Sequence, residues 1–176
     1  VPAASASRPQ NSPLRVGWVG NSKHKDTSDG DLKGLHTILR PAVELAKSRG
    51  ADIDLVLADA AEGSISHSVM PAFYRDLDVL ACASANEGTP NPVLEAAACG
   101  VPFLSTDVGL VQQLAGDEFC GMIADRSVED FAEYLRWFHD NRAECAIMGA
   151  RARKRALTFD WSRKLGQYDA AVQLAM

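Results

Sequence analysis

The sequence predicts an α/β fold: a parallel sheet with helices on both faces, three layers α/β/α in all. Three observations predict it. Short apolar, β-prone runs alternate along the chain with stretches whose apolar residues recur at helical spacing, the pattern of right-handed βαβ units. One of those runs, Leu77-Asp-Val-Leu-Ala-Cys-Ala83, is apolar nearly throughout, which suits a parallel strand buried on both faces. The length is 176 residues, 47% hydrophobic and 23% charged, which fits one soluble domain, or a domain of a larger protein, with a sizeable core.

Val1 to Pro13 is rich in Ala, Ser and Pro and reads as a linker or frayed end, so the domain proper spans residues 14–176. Leu14 to Gly20 is the first strand. A polar loop follows from Asn21 to Asp31, and Lys33-Gly34 opens a helix with Leu35, Ile38, Leu39, Ala42, Val43 and Ala46 on one face. Gly50 stops it, and Pro41 marks a kink or a second helix start. Asp52 to Ala58 is the second strand, Asp59 to Ser68 a loop, and Met70 to Asp76 a short helix with Pro71 in its first turn. Leu77 to Ala83 is the third strand and Pro102 to Thr106 the fourth. A helix from Leu110 to Ala115 and a last strand, Gly121 to Ala124, come next. Ser127-Val-Glu-Asp130 is a capping-box-like start to a helix that turns Phe131, Leu135 and Phe138 inward. Arg142 to Ala156 and Trp161 to Leu174 complete a helical tail.

The net charge of -5 and pI near 5.3 argue against a nucleic-acid binder. No apolar run approaches the roughly 20 residues of a membrane span, and Val1 to Pro13 does not read as a signal peptide. Cys82, Cys99, Cys120 and Cys145 form no C-x-x-C pair and sit in apolar or helical contexts, so they read as buried reduced thiols of a cytoplasmic protein. His24, His36, His67 and His139 share no ligand spacing, and no metal site is expected.

The chemistry concentrates in Glu87-Gly-Thr-Pro-Asn-Pro-Val-Leu-Glu95, followed by the small-residue stretch Ala96-Ala-Ala-Cys-Gly100. This stretch follows the third strand, and open parallel sheets bind ligands outside the carboxyl ends of their strands. Asn91 precedes a proline, which pushes it out of the helical region and gives Pro92 the first helical position. Glu95 then falls in the first turn, where side chains lean back toward the N-terminus, so Glu87 and Glu95 face the same crevice. A carboxylate accepts two hydroxyl hydrogen bonds at once, as a vicinal diol requires. Free N–H groups at the helix start suit a phosphate or a sugar oxygen, and Lys33 adds a positive charge at the rim. Singly, each residue has a plainer role: Glu95 as a helix-dipole acid, Glu87 as a solvated loop charge, Lys33 as a surface lysine, Ala96 to Gly100 as close packing. Their convergence on one edge is what points to a site.

Glu87 to Gly109, with its paired glutamates separated by seven intervening residues, small-residue helix, Gly-x-Pro and Thr-Asp-x-Gly, resembles the donor-binding signature of the family 4 (group 1) retaining glycosyltransferases. Lys33-Gly34, Tyr74-Arg-Asp-Leu-Asp, Cys120-Gly-Met-Ile and Phe159-Asp-Trp-Ser162 resemble flanking segments of that family. The resemblance implies one Rossmann-like half of a GT-B fold, the C-terminal donor domain, with an N-terminal acceptor domain as its absent partner. It implies a nucleotide-diphosphate sugar as donor, transfer with retention, and no metal or other cofactor. Glu87 would face the transferred sugar as the catalytic residue, and Glu95 would hold the ribose. Lys33 would bind the diphosphate, with Gly20 and Asn21 at the end of the first strand, and the backbone of Gly88, Thr89, Pro90 and Asn91 would hold sugar and phosphate. The chain alone would bind donor without transferring it, and membrane contact would come only through the other domain. The pattern departs from the family in three places: Asn21 stands where an Arg is common, with Lys23 or Lys25 as stand-ins; Gln113 stands where an acid is common; and Asp59 to Ser68 is short. The alternatives are a non-catalytic nucleotide-sugar-binding or interaction module of the same fold, a sugar-nucleotide epimerase, or a phosphorylase of that shape. The spacing of the glutamates disfavours the last two.

Overall fold

A computed structural model describes residues 12–23, 30–63, 65–117 and 119–160, with Leu165 and Gln173. Five parallel strands form one sheet: β1 (Leu14–Gly20), β2 (Ile53–Asp59), β3 (Val79–Cys82), β4 (Phe103–Thr106) and β5 (Gly121–Ala124), in the order β2-β1-β3-β4-β5. Chain order reverses between β1 and β3, the switch point where such sheets open a crevice beyond their carboxyl ends. Between and after the strands come α1 (Arg40–Ser48), α2 (Met70–Arg75), α3 (Asn91–Ala98), α4 (Val111–Ala115), α5 (Val128–Asp140) and α6 (Arg142–Ala156).

Successive strand residues point to opposite faces, and the core divides accordingly. Val79, Ala81 and Leu104 point toward α1 and α5, joining Leu39, Val43, Phe131, Leu135 and Phe138. Leu80, Cys82 and Phe103 point the other way, toward α2, α3 and α4, joining Tyr74, Val93, Ala97 and Leu114. Phe131, Leu135 and Phe138 are fully buried, as their spacing predicts. Helix α6 serves both clusters, through Met148 on one side and Ala152 on the other. Its first residue, Arg142, is 6% exposed and bonds Asp78 Oδ2 at 2.8 Å, which also accepts Arg15 N–H at 2.8 Å. The amino end of the sheet is thereby fixed to the helical tail.

Most predicted bounds hold within a residue or two. Asp59 pairs with Gly20 and belongs to β2 rather than to the loop. Leu77 and Asp78 precede β3, because Asp78 is spent on the Arg15 and Arg142 bonds. The Pro41 ambiguity resolves as a π-helical turn, Leu35–Leu39, ahead of α1. Leu39 N–H reaches Gly34 O at 2.8 Å, and Arg40 N–H reaches Leu35 O. A widened turn accommodates a proline that cannot donate to the preceding turn. Ser127 Oγ accepts from Asp130 N–H at 3.1 Å, but Asp130 returns its carboxylate to Asp125 N–H, so only half of the capping box forms. The four cysteines are buried free thiols, and burial pushes that of Cys145 up to about 12, an unreactive state. Of the helix predicted over 161–174 only Leu165 and Gln173 are among the described residues, both helical, and the linker before residue 12 lies outside them.

Candidate functional site

The carboxyl edge of the sheet is assembled from four loops. The turn after β3 is the centre, and each neighbour grips its backbone. Thr106 Oγ1, at the end of β4, donates to Ser84 O at 2.6 Å. Ala85 N–H donates to Leu32 O at 2.9 Å. Gly34 (φ 66°) packs so tightly on this turn that a Cβ would lie 2.2 Å from Ala83 O. Gly109 (φ 55°) does the same to Gly88 O at 2.3 Å. Only glycine fits such close approach at positive φ. Arg126, just past β5, completes the clamp: its Nε donates to Ala83 O at 3.0 Å and its Nη2 to Asp31 O at 2.8 Å.

This clamp brings Lys33 and Glu87 together. Lys33 Nζ lies 2.5 Å from Glu87 Oε1, which also accepts from Ser84 Oγ at 2.9 Å. Lys33 and Glu87 side chains are 25% and 17% exposed, so the pair is mostly buried yet still reached by solvent. Asp31 anchors the Lys33 loop from below. Its Oδ2 accepts from His36 N–H, Thr37 N–H and Thr37 Oγ1 at 2.8, 2.7 and 3.0 Å. Burial pushes the Asp31 carboxyl up, but those bonds outweigh it and hold it below the ordinary carboxylate range.

Glu95 has a separate setting. With Asn91 and Pro92 from α3 it lines a cleft of about 270 Å³ whose other walls are Val19, Gly20, Ala58, Ala60, Gly63, Ile65, His67 and Met70. Glu95 is the acid of this cleft among the described residues. Its Oε2 accepts the Tyr74 hydroxyl at 2.6 Å. Asp59 braces the cleft's floor, its Oδ1 accepting from Ser22 N–H at 3.0 Å and Ala61 N–H at 2.9 Å.

Two expectations are corrected here. Helix α3 begins at Asn91, with Pro90 as its cap, because Pro90 O takes the N–H of Val93 at 2.9 Å and of Leu94 at 3.3 Å. The preference against a helical residue before proline is overridden, and Glu95 falls in the second turn rather than the first. Glu95 lines the cleft of about 270 Å³, and Glu87 is not among that cleft's lining residues. The N–H groups from Gly88 to Asn91 are not all free either. Pro90 has none and Asn91 N–H is bonded to Thr89 O at 2.8 Å, which leaves those of Gly88 and Thr89 without a hydrogen bond among the described residues.

Of the other predicted residues, Gly20 lines the cleft and gives its carbonyl to Ala60 N–H at 2.8 Å. Asn21 is exposed and folds onto its own loop, its Oδ1 accepting Lys23 N–H at 3.0 Å. Lys23 is exposed, and Lys25 lies outside the described residues. Gly88, Thr89 and Asn91 are exposed, and Pro90 is buried. Arg126, Asp31, Asp59 and the Tyr74 hydroxyl went unrecognised in the sequence. Position at the carboxyl end of a strand is a signal for Arg126 and Asp59; the other two have none. No group of His, Cys, Asp or Glu that could hold a metal ion occurs among the described residues, and no helix there is long and apolar enough to cross a membrane.

The family model described as glycosyl transferases group 1 matches residues 61–155, just over half of the chain. A D-inositol 3-phosphate glycosyltransferase of Arthrobacter sp. (strain FB24) is 28% identical over 171 residues, covering 80% of this chain and 40% of that protein. The chain spans less than half the length of the curated relatives it matches. Among solved structures, sucrose-phosphate synthase from Thermosynechococcus elongatus superposes with a TM-score of 0.73 at 19% identity, over 96% of this chain and 47% of that one. The C-terminal domain of a glycosyl transferase group 1 family protein from Francisella tularensis superposes with a TM-score of 0.65 at 18% identity, over 89% of this chain and 93% of that one. The fold is thus that of one half of a GT-B glycosyltransferase.

Proposed function

The chain belongs to the group 1 glycosyl transferases, and from that premise we propose that it is the donor-binding domain of a retaining glycosyltransferase that uses a nucleotide-diphosphate sugar. The observation that carries this reading is the placement of Glu95 on a cleft of about 270 Å³ beside the loop that bears the Lys33–Glu87 pair. That volume is near the lower end of small-molecule sites, which begin at roughly 300 Å³.

The nucleoside occupies the cleft, its base against Val19, Ala58, Ile65 and Met70, and its ribose hydroxyls on Glu95. Asn91 and Pro92, which share the cleft with Glu95, lead back to Thr89, Gly88 and Glu87, so the diphosphate follows the chain toward Lys33. Lys33 and the free N–H groups of Gly88 and Thr89 balance the charge that grows on the diphosphate as the sugar leaves, without a metal. Glu87 receives the hydroxyls of the transferred sugar. In the ligand-free state Lys33 is neutralised by Glu87, so a diphosphate must share or take over that lysine. The acceptor site belongs to a second domain of the same enzyme, and this chain alone binds donor without transferring it.

Titration of UDP, GDP and ADP, and of their sugars, into the chain tests the reading. A ligand that binds only the folded state raises the melting temperature. One nucleotide class is expected to raise it, and Glu95→Ala is expected to weaken that nucleotide about tenfold or more. A flat response to all of them at millimolar concentration, or an unchanged affinity in Glu95→Ala, overturns it.

A further inference from the structure

Glu95 lines two clefts at once. On one side is the 270 Å³ cleft. On the other is a more apolar one of about 250 Å³ walled by His67, Met70, Pro71, Tyr74, Ala98 and Cys99. A glutamate side chain with open space on both sides has several rotamers to choose from, and ordering such a chain carries a substantial entropic cost. One contact decides between them. The Tyr74 hydroxyl holds Oε2 at 2.6 Å, while Oε1 makes no hydrogen bond among the described residues.

The tyrosine is itself closely packed. Its ring is 1% exposed, stands edge-on to Phe73 with centroids 5.7 Å apart, and sits on a helix whose start is set by Pro71. An ionised carboxylate only accepts, so the direction of the bond is fixed with the phenol donating. We propose that Tyr74 is a positioning residue for nucleotide recognition, its hydroxyl holding Glu95 so that the remaining carboxylate oxygen meets the ribose hydroxyls of a nucleoside diphosphate. The proposal rests on the reading of Glu95 as the ribose ligand given above. Burial, and then the bond to Glu95, push the phenol well above its ordinary range, so the donor keeps its proton at any pH the protein meets.

The partner of Glu95 is neutral, and that suits the task. A cationic partner would spend the carboxylate's charge, whereas a phenol orients it and leaves it a strong acceptor for hydroxyl donors. Glu87, held by Lys33, shows the contrasting arrangement within the same loop and helix.

The test compares each of UDP, GDP and ADP with its 2′,3′-dideoxy counterpart, by calorimetric titration of the unsubstituted chain and of Tyr74→Phe. The substitution keeps the ring, and the ligand-free melting temperature of the variant checks that the fold is kept. Tyr74→Phe is expected to weaken the preferred ribonucleotide about tenfold and to leave its dideoxy counterpart unchanged. In Glu95→Ala the further change Tyr74→Phe is expected to add nothing. Full ribose discrimination surviving in Tyr74→Phe overturns the proposal and leaves the site reading intact. Equal weakening of both ligands also overturns it, because the role would then be packing alone. Failure of the unsubstituted chain to discriminate ribose from dideoxyribose overturns the assignment of Glu95, and the proposal falls with it.

Discussion

Glu87 and Glu95 lie on one loop-helix segment, yet the molecule holds them by opposite means. Glu87 sits on an irregular loop whose position is dictated by backbone: Gly34 against Ala83, Gly109 against Gly88, and Arg126 across two carbonyls. Its charge is met at contact distance by Lys33. Glu95 rides on a regular helix, is aimed by one neutral hydroxyl, and carries its charge to the wall of a cleft. The first region is a rigid corner with a self-neutralised pair. The second is a pre-aimed acceptor waiting for donors. A nucleotide-diphosphate sugar has both chemistries, an anionic centre and hydroxylated ends, and in the proposed reading the contrast sorts them: hydroxyls to Glu95 directly, phosphate to Lys33 in competition with Glu87.

The largest effect expected from breaking this contrast is on the corner's backbone. Gly34→Ala or Gly109→Ala sets a Cβ 2.2 or 2.3 Å from a carbonyl oxygen at a φ that L side chains rarely adopt. Each is expected to cost about 3 kcal/mol in chemical denaturation. Gly88→Ala is the control: its Cβ would meet nothing within 4 Å, and the cost should stay within about 0.5 kcal/mol. Equal costs at Gly88 and Gly109 would mean that the close approach is not what shapes the corner.

A smaller effect separates the two carboxylates by charge. Glu87→Gln releases Lys33, so inorganic pyrophosphate is expected to bind about fivefold more tightly, the scale of a partly exposed ion pair. Glu95→Gln, remote from that lysine's pairing, is expected to leave pyrophosphate binding unchanged. Titration at low ionic strength reads both, since added salt screens the difference. Weaker binding in Glu87→Gln would show that Glu87 aims the lysine at the anion rather than competing for it.

The same contrast explains what was legible in the sequence. Strand β1, strand β5 and helix α6 fall where the sequence predicts them, and for the strands local signals mark the bounds: an apolar run ending at Gly20 and another starting at Gly121. Glu95, Glu87 and Lys33 are visible as a spaced set on one sheet edge. Their partners are not. Arg126 reaches across 43 residues to Ala83 and 95 to Asp31, and Tyr74 across 21 to Glu95. No local propensity encodes such pairings; the packing of two loops or two helices creates them. The start of α3 differs from the sequence expectation for a related reason: a rule about the residue before proline is local, while the helix start is set by the Pro90 carbonyl.

The smallest effect expected is in acid, and it distinguishes the foundations of the two regions. Asp31 underlies the Lys33 corner and Asp59 the floor of the cleft, and both carboxyls are held low although burial alone would raise them. For Asp31 the opposing bonds come from Thr37 and His36, for Asp59 from Ser22 and Ala61. A group whose pKa is lower in the folded chain adds stability above its unfolded value, near 3.9, and loses it as pH falls through the folded value. The destabilisation caused by Asp31→Asn, measured by urea unfolding, is therefore expected to be full at neutral pH and to shrink as pH falls below about 4. Asp59→Asn should follow the same sign. The two differ in what they loosen: Asp31→Asn should weaken pyrophosphate before nucleoside, and Asp59→Asn the reverse. Loss of both ligands in step from either variant would mean that corner and cleft are one cooperative unit, and that the contrast between the glutamates ends at their side chains.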